Sequence, residues 1–117
     1  LDKRGLSEDT LVIFMSDHGE MLGDHGLYLK GGYFYECALH MPLILSWPGR
    51  IEPSRRSRAL VEFTDLAPTL LEAAWLDRHP GMQGRSFWPL LAGTASLDEH
   101  REDQNDAGSK SAPVGRD

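Results

Sequence analysis

The five consecutive apolar residues Leu11-Val12-Ile13-Phe14-Met15, which stop abruptly at Ser16-Asp17-His18-Gly19-Glu20, constrain this chain more than any other feature. β-branched and aromatic side chains dominate the run. An unbroken apolar stretch of this length fits a strand buried on both faces, as in a parallel sheet covered by helices. Pro42-Leu43-Ile44-Leu45-Ser46-Trp47 reads as a second buried strand, with proline tolerated at its first residue, and Ala59 to Phe63 as a shorter third. Leu1 to Gly5 reads as a helix end and Ser7 to Thr10 as a polar turn. Five glycines between Gly19 and Gly32 give that segment a loop composition. A short helix is expected within Tyr33 to Leu39. Thr64 or Asp65 can cap a further helix from Leu66 to Trp75, with Leu66, Leu70 and Ala73 or Ala74 on one face. Phe87, Trp88, Leu90 and Leu91 mark a short apolar helix between Gly84 and Gly93.

The alternation of strand, loop and helix argues for an α/β fold. The 117 residues make one small domain at most. Three strands and a few short helices cannot cover both faces of a buried sheet, and small domains bury proportionally less surface. The expectation is therefore a slice of a larger mixed sheet flanked by helices, spanning residues 1–97. Residues 98–117, from Asp98-Glu99-His100-Arg101 onward, hold almost nothing apolar and are expected to be a disordered polar tail.

A formal charge of −6 argues against a non-specific nucleic-acid partner, which needs a basic face. The single cysteine excludes an internal disulfide framework and leaves the compartment open. No apolar run approaches the ~20 residues that span a bilayer. The first residue is not Met, which fits a processed chain or a fragment.

Ligands in open α/β sheets collect at the carboxyl ends of strands, where Asp17 and His18 stand. A carboxylate beside an imidazole offers an oxygen and a nitrogen to one divalent cation. The same pair also fits a plainer role, with Asp17 capping the turn and His18 packing on the strand end. Spacing alone does not choose between them.

The longer string does. Thr10-Leu11-Val12-Ile13-Phe14-Met15-Ser16-Asp17-His18-Gly19-Glu20-Met21-Leu22-Gly23-Asp24-His25-Gly26-Leu27-Tyr28-Leu29-Lys30-Gly31 strongly resembles the second signature of the sulfatase family, within the alkaline-phosphatase-like superfamily. The resemblance continues through Tyr35-Glu36, Met41-Pro42-Leu43-Ile44, Trp47-Pro48-Gly49-Arg50-Ile51, Phe63-Thr64-Asp65-Leu66-Ala67-Pro68-Thr69-Leu70-Leu71 and Gln83-Gly84-Arg85-Ser86-Phe87. It covers roughly residues 1–93 in family order and implies part of an alkaline-phosphatase-like catalytic domain.

By that resemblance Asp17 and His18 are metal ligands, and Lys30 is the catalytic, sulfate-contacting lysine. The implied cation is usually Ca2+, although a histidine ligand suits Mn2+ or Zn2+. The implied substrate is a sulfate ester. A cation there polarises the sulfuryl group, and an ammonium at Lys30 neutralises charge developing on the oxygens. Without the resemblance, Lys30 would read as a solvated surface lysine. His25 is a candidate for substrate binding or for fixing its own loop. Glu20 and Asp24 read as turn stabilisers, and Tyr28, Tyr33, Phe34 and Tyr35 as core packing or a substrate wall.

The family nucleophile is a formylglycine made from Cys or Ser within Cys/Ser-x-Pro-x-Arg. Cys37 is followed by Ala38-Leu39-His40-Met41 and does not match; it reads as a small buried apolar residue. Ser7 and Ser54 do not match either. The formylglycine and the paired aspartates that complete the metal site are thus expected in a missing N-terminal part, and this chain alone is expected to be inactive. His40 stands where the family often has Arg, which places a stabilising salt bridge in doubt. A phosphonate monoester or phosphodiester hydrolase of the same superfamily shares the Asp-His pair and the later lysine. A remnant without turnover is the non-enzymatic alternative.

Overall fold

The structure, a computed structural model, describes residues 1–95. The polar stretch 98–117 lies outside the described residues. Two compact units divide the chain, one from Leu1 to Arg50 and one beginning at Ile51.

In the first unit, a 3-10 turn at Asp2–Arg4 ends at Gly5, whose φ of 65° is the left-handed conformation that glycine adopts without steric cost. Strand β1 (Val12–Met15) follows, then the glycine-rich loop, helix α1 (Glu36–Leu39) and strand β2 (Leu43–Ser46). The two strands pair antiparallel, Val12 with Ser46 and Met15 with Leu43. The antiparallel pair departs from the parallel arrangement that the apolar run of β1 suggested and is compatible with a slice of a mixed sheet. The long connection between the strands carries one turn of helix rather than a crossover, so the chain simply returns. Pro42, which has no N–H to donate, precedes the first ladder residue. After Ser46 the chain turns at Trp47-Pro48-Gly49-Arg50, with the Arg50 N–H donating to the Trp47 carbonyl at 3.0 Å. Trp47 is pinned by its Nε1, which donates to the Glu8 carbonyl at 2.6 Å.

The strands are not buried on both faces. Alternate residues Ile13, Met15, Leu43 and Leu45 are half-buried, while Val12, Phe14 and Ile44 are exposed. Side chains alternate across a pleat, and only one face of this two-stranded ribbon is covered among the described residues. The apolar run specifies a strand with two apolar faces; it does not supply the second cover.

In the second unit the expected strand at Ala59 to Phe63 is absent. Its backbone donors are taken locally: the Ala59 N–H goes to Ser57 Oγ at 3.0 Å, and the Glu62 N–H goes to Asp65 Oδ2 at 3.0 Å. Side-chain acceptors of this kind compete directly with a ladder. A 3-10 turn at Phe63–Asp65 leads into helix α2 (Leu66–Ala73), and helix α3 (Trp88–Leu91) packs on α2. Pro68 sits in the first turn of α2, where the missing N–H has no intrahelical partner to lose.

Helix α2 buries Pro68, Thr69 and Ala73 along with Asp65 just before it, whereas Leu70 is 40% exposed. This corrects the expected Leu66/Leu70 face. The segment ahead of α3 docks through hydrogen bonds instead. Asp65 Oδ1 accepts from the Arg85 N–H at 2.7 Å, and Thr69 Oγ1 accepts from the Phe87 N–H at 3.0 Å while donating to the Asp65 carbonyl at 2.6 Å. Gly84 is required here, because a Cβ would lie 1.8 Å from the Thr64 carbonyl oxygen. Phe87 and Leu90 complete this small core.

Helix α2 stops two residues earlier than expected. The Trp75 N–H donates to Glu72 O at 3.0 Å and the Leu76 N–H to Leu71 O at 2.9 Å, with Trp75 at φ 59°. This is the reciprocal bonding of a Schellman stop.

Candidate metal and sulfate site

At the end of β1 the side chains take over the backbone hydrogen bonding. Ser16 Oγ donates to the His18 carbonyl at 2.7 Å, and Asp17 Oδ1 accepts the His18 N–H at 3.0 Å. Both bonds are local and end the ladder. Gly19 then lies against α1, its N–H donating to Ala38 O at 2.9 Å, while the Glu20 N–H donates to Cys37 O at 3.0 Å. A Cβ at Gly19 would sit 1.8 Å from the Cys37 carbonyl oxygen. The glycine therefore permits a close approach between backbone segments, which fixes the base of the loop and the residue before it.

His18 Nδ1 lies 2.6 Å from the Gly19 carbonyl oxygen. A carbonyl can only accept, so Nδ1 carries the proton and, in the neutral ring, Nε2 carries the lone pair. That Nε2 is 3.8 Å from Asp17 Oδ2, and the Asp17 side chain is 85% exposed. One oxygen and one nitrogen donor are thus available side by side, with the ring oriented through its other nitrogen as metal-binding histidines commonly are. The donor set fits a divalent cation. Two donors alone would make only part of a coordination shell, and no group of three or more His, Cys, Asp or Glu is gathered among the described residues.

His25 and Lys30 lie in the same unit, on the loop after Gly19. His25 occupies a 3-10 turn at Asp24–Gly26 with φ 54°, and its ring stacks on Tyr35 with centroids 4.1 Å apart. Lys30 is exposed and, among the described residues, has no hydrogen bond or ion pair. The structure thus brings Asp17 and His18 together and ties His25 to Tyr35, with Lys30 exposed on the same loop. Tyr28 and Phe34 are 79% and 88% exposed, so neither is core.

Cys37 is only half-buried, with its Sγ 3.4 Å from the Sδ of fully buried Met21. His40 retains a polar partner: its Nδ1 is 3.1 Å from Glu36 Oε2, one helical turn earlier. Both groups are exposed, and such a pair contributes little to stability.

Ser46-Trp47-Pro48-Gly49-Arg50 does fit Ser-x-Pro-x-Arg, a match beyond Ser7, Ser54 and Cys37 that is legible in the sequence. The antiparallel register pairs Ser46 with Val12, three residues back from Met15. At ~3.4 Å per residue this is about 10 Å from the end of β1 that leads to Asp17. Ser46 therefore stands at the wrong end of the ladder to act as nucleophile beside Asp17 and His18.

The family model for Sulfatase matches residues 1–76. Arylsulfatase K from Xenopus laevis is 36% identical over 96 residues, covering 82% of this chain and 18% of its own length. The N-acetylglucosamine-6-O-sulfatase of Bacteroides thetaiotaomicron is 36% identical over 91 residues, covering 78% of this chain and 16% of its own length. Among solved structures, a phosphonate monoester hydrolase from Silicibacter pomeroyi superposes with a TM-score of 0.73 at 38% identity, covering 84% of this chain and 19% of that one. The chain belongs to the sulfatase family and has part of its alkaline-phosphatase-like fold. It spans under a fifth of the length of these relatives. No helix among the described residues is long and apolar enough to cross a membrane.

Proposed function

We propose that this chain forms part of a sulfuric ester hydrolase, in which Asp17 and His18 hold a divalent cation and Lys30 contacts the sulfate. The orientation of His18 carries the reading: with Nδ1 committed to Gly19 O, Nε2 is left beside the Asp17 carboxylate. The cation, Ca2+ or alternatively Mn2+ or Zn2+, supplies Lewis-acid polarisation of the sulfuryl oxygens when bound. Asp17 and His18 bind it and fix its position at the end of β1.

Cleavage of a sulfate ester leaves negative charge on the departing oxygen. The Lys30 ammonium, unpaired among the described residues, neutralises that charge and orients the sulfate. The remaining ligands and the formylglycine nucleophile belong, in this reading, to another part of a larger catalytic domain. The small share of the relatives' length that this chain spans supports that division.

A second reading rests on the 38% identity and 0.73 TM-score to a phosphonate monoester hydrolase. Asp17, His18 and Lys30 serve either anion. The test is turnover by the complete protein of 4-nitrophenyl sulfate against a 4-nitrophenyl phosphonate monoester, in wild type and Lys30→Ala. A higher kcat/KM for the sulfate, with kcat lowered roughly 100- to 1000-fold by Lys30→Ala, is expected. Preference for the phosphonate would move the protein to the second class, and wild-type kcat in Lys30→Ala would remove the lysine from the chemistry.

A further inference from the structure

Lys30 stands between two residues in the left-handed region, Leu29 at φ 65° and Gly31 at φ 51°. That conformation is unfavourable for a leucine, and Leu29 is 73% exposed, so no packing of its own side chain compensates. Something else must hold the loop in this shape.

A run of aromatic contacts reaches it. The His25 ring stacks on Tyr35, with centroids 4.1 Å apart and an interplanar angle of 17°. The Tyr33 and Tyr35 rings lie 6.4 Å apart, tilted by 40°. Tyr33 in turn covers the Gly31 backbone, where a Cβ would come within 2.6 Å of ring atoms Cδ2 and Cε2. His25 and Tyr35 lie five residues before and five residues after Lys30, so their contact closes a loop with the lysine at its midpoint. Below this clasp, Gly23 N–H to Leu27 O at 2.9 Å and Leu27 N–H to Asp24 O at 3.0 Å hold the turn that presents the His25 ring.

We propose that His25 and Tyr35 form a stacked clasp that positions Lys30, making both of them positioning residues. The clasp is a statement about this loop's geometry; its effect on turnover rests on the role given to Lys30 under Proposed function. Aromatic stacking at this separation is strong enough to change loop opening about 10-fold, and displacement of a charge-bearing group by an ångström changes rate by up to about 100-fold.

The experiment is hydrogen exchange of amides 26–34 and steady-state kinetics with 4-nitrophenyl sulfate, both in the complete protein. The variants are Tyr35→Leu, which keeps bulk without a ring, Tyr35→Phe, which keeps the ring, and His25→Asn, which tolerates left-handed backbone without a ring. Tyr35→Leu and His25→Asn are each expected to speed exchange about 10-fold and lower kcat about 10- to 100-fold. Tyr35→Phe should restore both. Combined with Lys30→Ala, Tyr35→Leu should cause no further loss of kcat.

Unchanged exchange in Tyr35→Leu and His25→Asn would overturn the clasp. An equal additional loss in the Lys30→Ala background, or failure of Tyr35→Phe to rescue, would overturn the positioning role. Faster exchange together with full turnover in Lys30→Ala would instead defeat the role of the lysine, and with it any effect of the clasp on catalysis.

Discussion

The Nδ1 of His18 donates to the carbonyl oxygen of Gly19, 2.6 Å away, and this bond decides which ring nitrogen is free. Gly19 is itself held by its N–H on the Ala38 carbonyl. The orientation of one candidate ligand is therefore set by how closely the backbone after β1 can approach the end of α1.

Gly19→Ala tests that dependence. The added Cβ would meet the Cys37 carbonyl oxygen at 1.8 Å, which is backbone and cannot swing aside. Overpacking and the strain on two backbone hydrogen bonds should together cost about 2–4 kcal/mol. Denaturant unfolding of the complete protein should show a lower midpoint, with weakened metal binding in the folded fraction. An unchanged midpoint would mean that the two segments separate freely.

Thr69→Val tests the polar docking of the second unit. The substitution keeps the volume but removes the hydroxyl that accepts from the Phe87 N–H and donates to the Asp65 carbonyl. Thr69 is almost fully buried, so loss of this acceptor and donor should cost about 1–3 kcal/mol. Chemical denaturation reads the loss. A neutral result would show that apolar contacts of Phe87 and Leu90 suffice.

Trp75→Gly should act in the other direction. Trp75 holds the left-handed position of the helix stop at φ 59° and is 84% exposed. Glycine occupies that position without a Cβ clash, so the substitution should stabilise by about 1 kcal/mol and raise Tm. A lower Tm would show that the indole contributes packing that outweighs its backbone strain.

These three sites also mark what was legible in the sequence. The apolar runs at Leu11 and Leu43 announce β1 and β2, and Gly84 to Gly93 announces the helix around Leu90, because apolar runs and their punctuation are local signals. Position at the carboxyl end of a strand marks Asp17 and His18 as candidates only; the sulfatase resemblance is what favours the metal reading. The buried face of α2 is not, since a periodicity that counts Leu66 and Leu70 takes no account of a threonine and an aspartate that dock a segment through hydrogen bonds. The stretch from Ala59 fails as a strand because Ser57 and Asp65 capture its N–H groups, a competition that hydrophobicity does not register. The strand pairing direction depends on the return path of the chain, which no single segment encodes. The stack of His25 on Tyr35 joins residues ten apart in a glycine-rich loop, where there is no period to reveal it. For Lys30, the sulfatase resemblance supplies the suggested role; its local surroundings alone would read as solvent-exposed loop.

The most direct test of the central claim is calorimetric titration of the metal-depleted complete protein with Ca2+ and with Mn2+, in wild type, Asp17→Ala and His18→Ala. Removal of a ligand should cost at least as much as removal of a group that merely orients one, so each variant should bind at least about 10- to 100-fold more weakly. Wild-type affinity retained in both variants would contradict the account, because the cation would then be held without the two donors that the end of β1 brings together.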